Sequence, residues 1–149
     1  MTLRYPKAFR DGLPADYDGL FYWEYIDHVL VPIRGIQLSD IDAVSQINRN
    51  FLTFDTSEFM KPDWDDPAAK KSGQTRTIDH LLMMAQATNG LYTFSHLDIV
   101  GKKIPRQWRW RGVTETGNLW MDDWQSAVDG REIIAPRVER WAKWSNERL

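Results

Sequence analysis

The stretch SDIDAVSQINRNFLTFDTSEF, residues Ser39–Phe59, decides the fold. Two runs of β-branched and aromatic residues, IRGIQLSDIDAVSQI and FLTFDTSEF, are separated by Asn48-Arg49-Asn50, and polar turn residues between such runs are hairpin chemistry. If the loop is even in length and centred on Asn48-Arg49, antiparallel pairing sets Gln46 opposite Phe51, Val44 opposite Thr53 and Asp42 opposite Asp55. Side chains paired in this way hold their Cβ atoms roughly 4.5–5.5 Å apart, and two like charges there destabilise a sheet unless a cation or a proton intervenes. Mg²⁺ or Mn²⁺ would relieve that repulsion. Hard divalent ions of this kind take one or two carboxylates together with water and substrate phosphate, so the pair suits phosphodiester hydrolysis. The competing reading sends both aspartates into solvent, and a three-residue loop would place them on opposite faces.

Outward from the hairpin, the chain alternates between helical and strand patterns. In DYDGLFYWEYIDHVLVP, Tyr22, Ile26, Val29 and Leu30 recur at helical spacing, with Asp18 as a cap and Pro32 as a stop. KPDWDDPAAKKSGQ has the prolines and turn residues of a loop. QTRTIDHLLMMAQATNG then places Ile78, Leu81, Leu82 and Ala85 on one helical face ahead of Asn89-Gly90, a C-terminal stop. LYTFSHLDIVG and IPRQWRWRGVT read as strands, and Ile134, Val138, Trp141 and Ala142 form the apolar stripe of a terminal helix. The expected order is α-β-β-β-α-β-β-α, an α/β (α+β) chain.

With 149 residues, 42% hydrophobic and 27% charged, the sequence has the balance of one globular domain spanning 1–149. It holds no apolar run near the roughly 20 residues that cross a bilayer, so no membrane partner is expected. The absence of cysteine excludes disulfides and thiolate metal sites and fits a reducing cytoplasm. A net charge of -2 argues against wholesale electrostatic binding of nucleic acid while allowing one basic face. Of the eight tryptophans, most are expected to pack in or against the core.

An aspartate on one strand, a tight turn and an acidic tripeptide on the next strand, followed by a helix, resembles the PD-(D/E)XK, or restriction-endonuclease-like, nucleases. SDIDAV, NRN and FLTFDTS stand in for those parts, and the chain is similar to small phage and prophage members in FRDGLP, FYWEYID, Gln74 and VERWAKW. The resemblance implies a central mixed β-sheet flanked by helices and a divalent-metal-dependent nuclease acting on DNA in preference to RNA. It implies Asp42 as first metal ligand and Asp55 as the acidic residue of the tripeptide. It also puts the catalytic lysine at position 57, where this chain has Ser57. Loss of one preorganised electrostatic donor costs other hydrolases about 100- to 1,000-fold in rate. Lys61, or Lys70 and Lys71, could take over in space, although each taken alone reads first as a solvated loop charge. Glu24, Asp40 and Gln74 are candidate supporting residues.

KKIPRQWRWRG gathers Lys102, Lys103, Arg106, Arg109 and Arg111 without an acid and is the candidate nucleic-acid contact. Strand alternation puts Arg109 and Arg111 on one face and Trp108 and Trp110 on the other, where they either stack on bases or pack on the terminal helix. His28, His80 and His96 show no zinc-ligand spacing and receive no role. Two function classes follow. One is a Mg²⁺- or Mn²⁺-dependent nuclease. The other is a pseudonuclease, a nucleic-acid- or protein-binding phage factor with a host or phage partner in the host cytoplasm. A homodimer is compatible with either.

Overall fold

The computed structural model describes residues 43–101 and 103–148, together with strand residues 9–10 and 13–14. The expected first helix, Glu24, Asp40, Asp42 and Lys102 lie outside the described residues. The chain divides into two units, Met1–Asp40 and Ile41–Leu149. In the first, FRDGLP supplies two short strands, β1 (Phe9–Arg10) and β2 (Leu13–Pro14), paired antiparallel.

The second unit begins with the hairpin of β3 (Ala43–Ile47) and β4 (Asn50–Ser57). Asn48 and Arg49 both have positive φ, 49° and 66°, the backbone of a type I′ turn whose twist matches that of the flanking strands. The even loop gives the expected register, with Gln46 opposite Phe51 and Val44 opposite Thr53. After β4 come a short helix α1 (Pro62–Asp65) and a longer one, α2 (Gly73–Ala87). The chain then returns as β5 (Thr93–Val100), which pairs parallel to β4. β6 (Gln107–Val113) runs antiparallel to β5, and β7 (Leu119–Met121) and β8 (Gln125–Ser126) both pair with β6, before α3 (Arg131–Glu147). The result is an α+β arrangement on a mixed open sheet ordered β3-β4-β5-β6-β7.

Besides β1 and β2, three elements differ from the sequence expectation. α1 interrupts the stretch read as loop, because Pro62 is preorganised for a first helical turn and Trp64 anchors that turn in the interior. β7 and β8 are too short to carry a periodic signal of their own.

The sheet's two faces have different chemistry. On one, Leu52, Leu97, Ile99, Trp108 and Trp110 form an apolar cluster with Ile134, and Val138 and Trp141 of α3 pack against it. Trp108 and Trp110 are 1% and 4% exposed, so of the two roles open to them the packing role holds and base stacking does not. On the other face α2 buries Ile78, Leu82 and Ala85 with Phe94 and Val113. Ser72 caps α2 by accepting from the Thr75 N–H at 3.2 Å, and the helix stops where Asn89 and Gly90 turn left-handed. A Cβ at Gly90 would lie 1.8 Å from the Glu115 carbonyl oxygen, so only glycine fits that stop. No helix among the described residues is long and apolar enough to cross a membrane.

Candidate functional site

Strand periodicity and register build the site together. Successive side chains of a strand alternate between faces, so Thr53 and Asp55 of β4 share a face, as do His96 and Asp98 of β5 and Arg109 and Arg111 of β6. The parallel pairing sets Thr53 beside His96 and Asp55 beside Asp98, and the next pairing sets His96 beside Arg111 and Asp98 beside Arg109. Six polar side chains are thereby gathered on the α2 side of the sheet, next to the apolar part that α2 covers.

Asp98, like His96, has no exposed surface. Burial alone would raise its pKa. Its partners overcome that: His96 Nε2 lies 2.9 Å from Oδ1, while Arg109 donates to Oδ2 from Nη2 at 2.9 Å and from Nε at 3.2 Å. Arg111 Nε stands 3.3 Å from the same oxygen, an ion-pair contact without hydrogen-bond alignment. Against the effect of burial, the hydrogen bond with His96 and the charges of Arg111, His96 and Arg109 bring the carboxyl down to about 2. The other ring nitrogen of His96, Nδ1, is 2.6 Å from the Thr53 hydroxyl. Arg111 also reaches the other way, donating from Nη1 to Asp79 of α2 at 3.0 Å, and Lys71 closes the chain on the second Asp79 oxygen at 2.6 Å. Alternating charges thus run from the solvent-exposed Lys71 to the buried Asp98.

Asp55, 2% exposed, faces a different cation. Lys61 leaves the chain just beyond β4 and turns back, placing Nζ 3.3 Å from Asp55 Oδ2 and 2.8 Å from Gln74 Oε1. Its ammonium also sits 4.7 Å from the Trp64 ring centroid, and Trp64 in turn lies 5.9 Å from Trp124. Three of the residues singled out in the sequence, Asp55, Lys61 and Gln74, therefore meet. Ser57 ends β4 on the Asp55 side, with its carbonyl accepting from the Gly101 N–H at 2.7 Å.

One ligand atom from each of Asp55, His96 and Asp98 can be chosen so that all lie within 4.8 Å of one another, and this buried cluster could hold a metal ion. Two carboxylates with an imidazole form a mixed oxygen–nitrogen donor set, which suits Mn²⁺ and its transition-metal neighbours better than Mg²⁺. A cation here competes with Arg109 and Arg111 for Asp98, and with Lys61 for Asp55.

The sequence left His96 without a role and passed over Asp98; the structure places both in the buried cluster, with His96 between Thr53 and Asp98. The available signal was the alternation His96-x-Asp98 inside one strand, which obliges both side chains to share a face. The basic stretch divides in two. Arg109 and Arg111, with side chains 12% and 9% exposed, are turned into the carboxylate network instead of lying open to solvent. Lys103 is exposed, and Arg106 donates to the Glu58 carbonyl at 2.8 Å.

No family model, curated protein or solved structure matches the chain.

Proposed function

We propose that the chain is a divalent-metal-dependent nuclease in which Lys61 fills the role that Ser57 cannot. The observation that carries this reading is the placement of Lys61 Nζ between Asp55 and Gln74. An ammonium has three N–H donors. With two of them directed to Asp55 and Gln74, the third can be offered to a phosphate oxygen or to an attacking water. The restriction-endonuclease-like fold belongs to the same proposal: the described hairpin, the helix after it and the return strand parallel to β4 are consistent with it.

Asp55 would hold the metal, joined by His96 and Asp98 and by Asp42, which the sequence reading sets opposite Asp55. The ion would supply Lewis-acid stabilisation of charge on the phosphoryl oxygens. Lys61 holds its proton for the same oxygens, and Gln74 fixes the direction of the ammonium. Burial of Asp55 lowers the local dielectric, so these charges act more strongly there than in water.

The test is a cleavage assay on single- and double-stranded DNA and RNA with Mg²⁺ or Mn²⁺. The unaltered chain is expected to cut, DNA in preference to RNA, with Asp55→Ala and Lys61→Met each lowering the rate by about 100- to 1,000-fold. Adding Ser57→Lys to Lys61→Met should restore part of the activity. Cleavage that survives Asp55→Ala eliminates the site.

One observation favours a second reading, a pseudonuclease that binds without turnover. Asp55, Asp79 and Asp98 are already matched by Lys61, Lys71, Arg109 and Arg111, a site neutralised by its own cations. No cleavage by the unaltered chain, but cleavage gained by Ser57→Lys, would decide for it.

A further inference from the structure

Beside the Asp55 site, the loop after β4 and the first turns of α2 line an open cleft of about 490 Å³, within the range of roughly 300–1,000 Å³ that ligand sites occupy. Its walls carry Lys61, Lys70, Lys71 and Arg76, with Asp63 as the single acid. That acid is already engaged: Asp63 Oδ2 accepts from the Thr75 hydroxyl at 2.6 Å and from the Ser72 N–H at 3.0 Å. Burial tends to raise the Asp63 carboxyl, but these hydrogen bonds outweigh it and hold its pKa below the ordinary value. Lys61 and Lys71 each have a carboxylate partner, Asp55 and Asp79. Among the described residues, Lys70 and Arg76 have none. Arg76, on α2, thus differs from Arg109 and Arg111 in keeping its guanidinium available, and guanidinium geometry matches phosphate bidentately.

From this we infer that the cleft binds a phosphate group of a nucleic-acid strand, with Arg76 and Lys70 as the residues that hold it. Lys61 lines the cleft and also contacts Asp55, so the cleft and the carboxylate share one cation. The inference rests on the nucleic-acid reading of the Asp55 site, but it concerns affinity and not turnover. The phosphate is either a terminal monoester or an internal diester. Both present the same oxygens, and the experiment separates them.

The experiment measures binding of fluorescently labelled single-stranded DNA by anisotropy, in EDTA, over a range of salt concentrations, with 5′-phosphorylated and 5′-hydroxyl strands of the same sequence. Lys70→Gln and Arg76→Gln are compared with the unaltered chain and with Arg140→Gln on exposed α3. All three positions are at the surface, and circular dichroism confirms that the variants fold. Each single substitution, by removing one cation from the phosphate, is expected to reduce the slope of log K against log salt by about 0.7, and the double variant by about 1.4, with Arg140→Gln unchanged. If the unaltered chain prefers the 5′-phosphorylated strand and the double variant does not, the cleft takes a terminal monoester. If both strands weaken alike, it takes an internal diester.

Slopes unchanged in Lys70→Gln and Arg76→Gln, an equal drop in Arg140→Gln, or no binding by the unaltered chain overturns the inference. The cleavage assay is read separately. Altered slopes without cleavage leave the cleft standing and remove the nuclease, whereas cleavage with unaltered slopes does the reverse.

Discussion

Asp98 shows how one buried charge is made tolerable and what that implies for stability. An isolated carboxylate in such a place would take up a proton, yet here Arg109, Arg111 and His96 surround it and its pKa is brought to about 2 from an ordinary 3.8. Because the folded value lies below the unfolded one, the stabilisation is fully present above about pH 4 and is lost as the pH falls toward about 2. A depression of this size corresponds to about 2 kcal/mol. Asp98→Asn should therefore remove that pH-dependent part. It should also cost about 3–5 kcal/mol near neutral pH, since Arg109 loses its carboxylate partner and Arg111 keeps only Asp79. Urea unfolding of the two proteins between about pH 2 and 7 measures both effects, and a gap between them that stays constant across that window contradicts the assignment. His96 and Asp98 were hard to see in the sequence for a physical reason. Their partners Arg109 and Arg111 come from another strand, and nothing local to TFSHLDIV distinguishes a buried polar row from an ordinary half-buried strand.

The hairpin is the element most legible in the sequence, because its register depends only on turn parity and side-chain alternation, which are both local. That is why Gln46–Phe51 and Val44–Thr53 could be paired in advance. The same locality made α2 readable from Ile78, Leu82 and Ala85, and α3 from Ile134, Val138 and Trp141. The neighbour of β4 was not readable. Its parallel partner β5 returns only after α1 and α2, and a crossover of that length leaves no register signal in either strand. Asp55 therefore met Asp98 without any sequence cue that it would. The turn also offers a test. Arg49 adopts φ 66°, which costs a side-chain-bearing residue about 1–2 kcal/mol, whereas Asn-Gly is the preferred type I′ pair. Since glycine gives back roughly 0.4–1 kcal/mol through the freedom of the unfolded chain, Arg49→Gly should stabilise by about 0.5–1 kcal/mol net. Arg49→Val should destabilise instead. Thermal unfolding reads both, and a fall in Tm for Arg49→Gly would mean that its exposed side chain makes a contact worth more than the turn strain.

At the scale of the whole unit, tryptophans and aliphatic residues under α3 stabilise one face of the β3–β8 sheet, while the α2 side sets, beside its own apolar cluster, charged groups that stabilise the fold only as a balanced set. The composition indicated that tryptophan would be structural, and for Trp108 and Trp110 it is. It could not indicate that the net charge of -2 conceals a local row of cations lying directly against carboxylates. That row would make any metal binding a property of the whole unit, because an ion entering the cluster must displace native ion pairs. An ion that binds the folded chain and not the unfolded one stabilises it by about 2.7 kcal/mol at one hundred times its dissociation constant. For a chain of this size that is a rise in Tm of roughly 5–10 °C. Mn²⁺ should produce the larger rise and Mg²⁺ the smaller, because an imidazole nitrogen is a poorer ligand for the harder ion. Asp55→Asn should abolish the rise. Lys61→Met should enlarge it, because the ammonium 3.3 Å from Asp55 Oδ2 is the ion's nearest competitor there, even as the same substitution lowers cleavage. Opposite signs for binding and turnover in one variant distinguish a lysine that acts on substrate from one that merely neutralises a buried acid. An equal Mn²⁺-induced rise in the unaltered chain and in Asp55→Asn would place the ion elsewhere and remove Asp55 from the site.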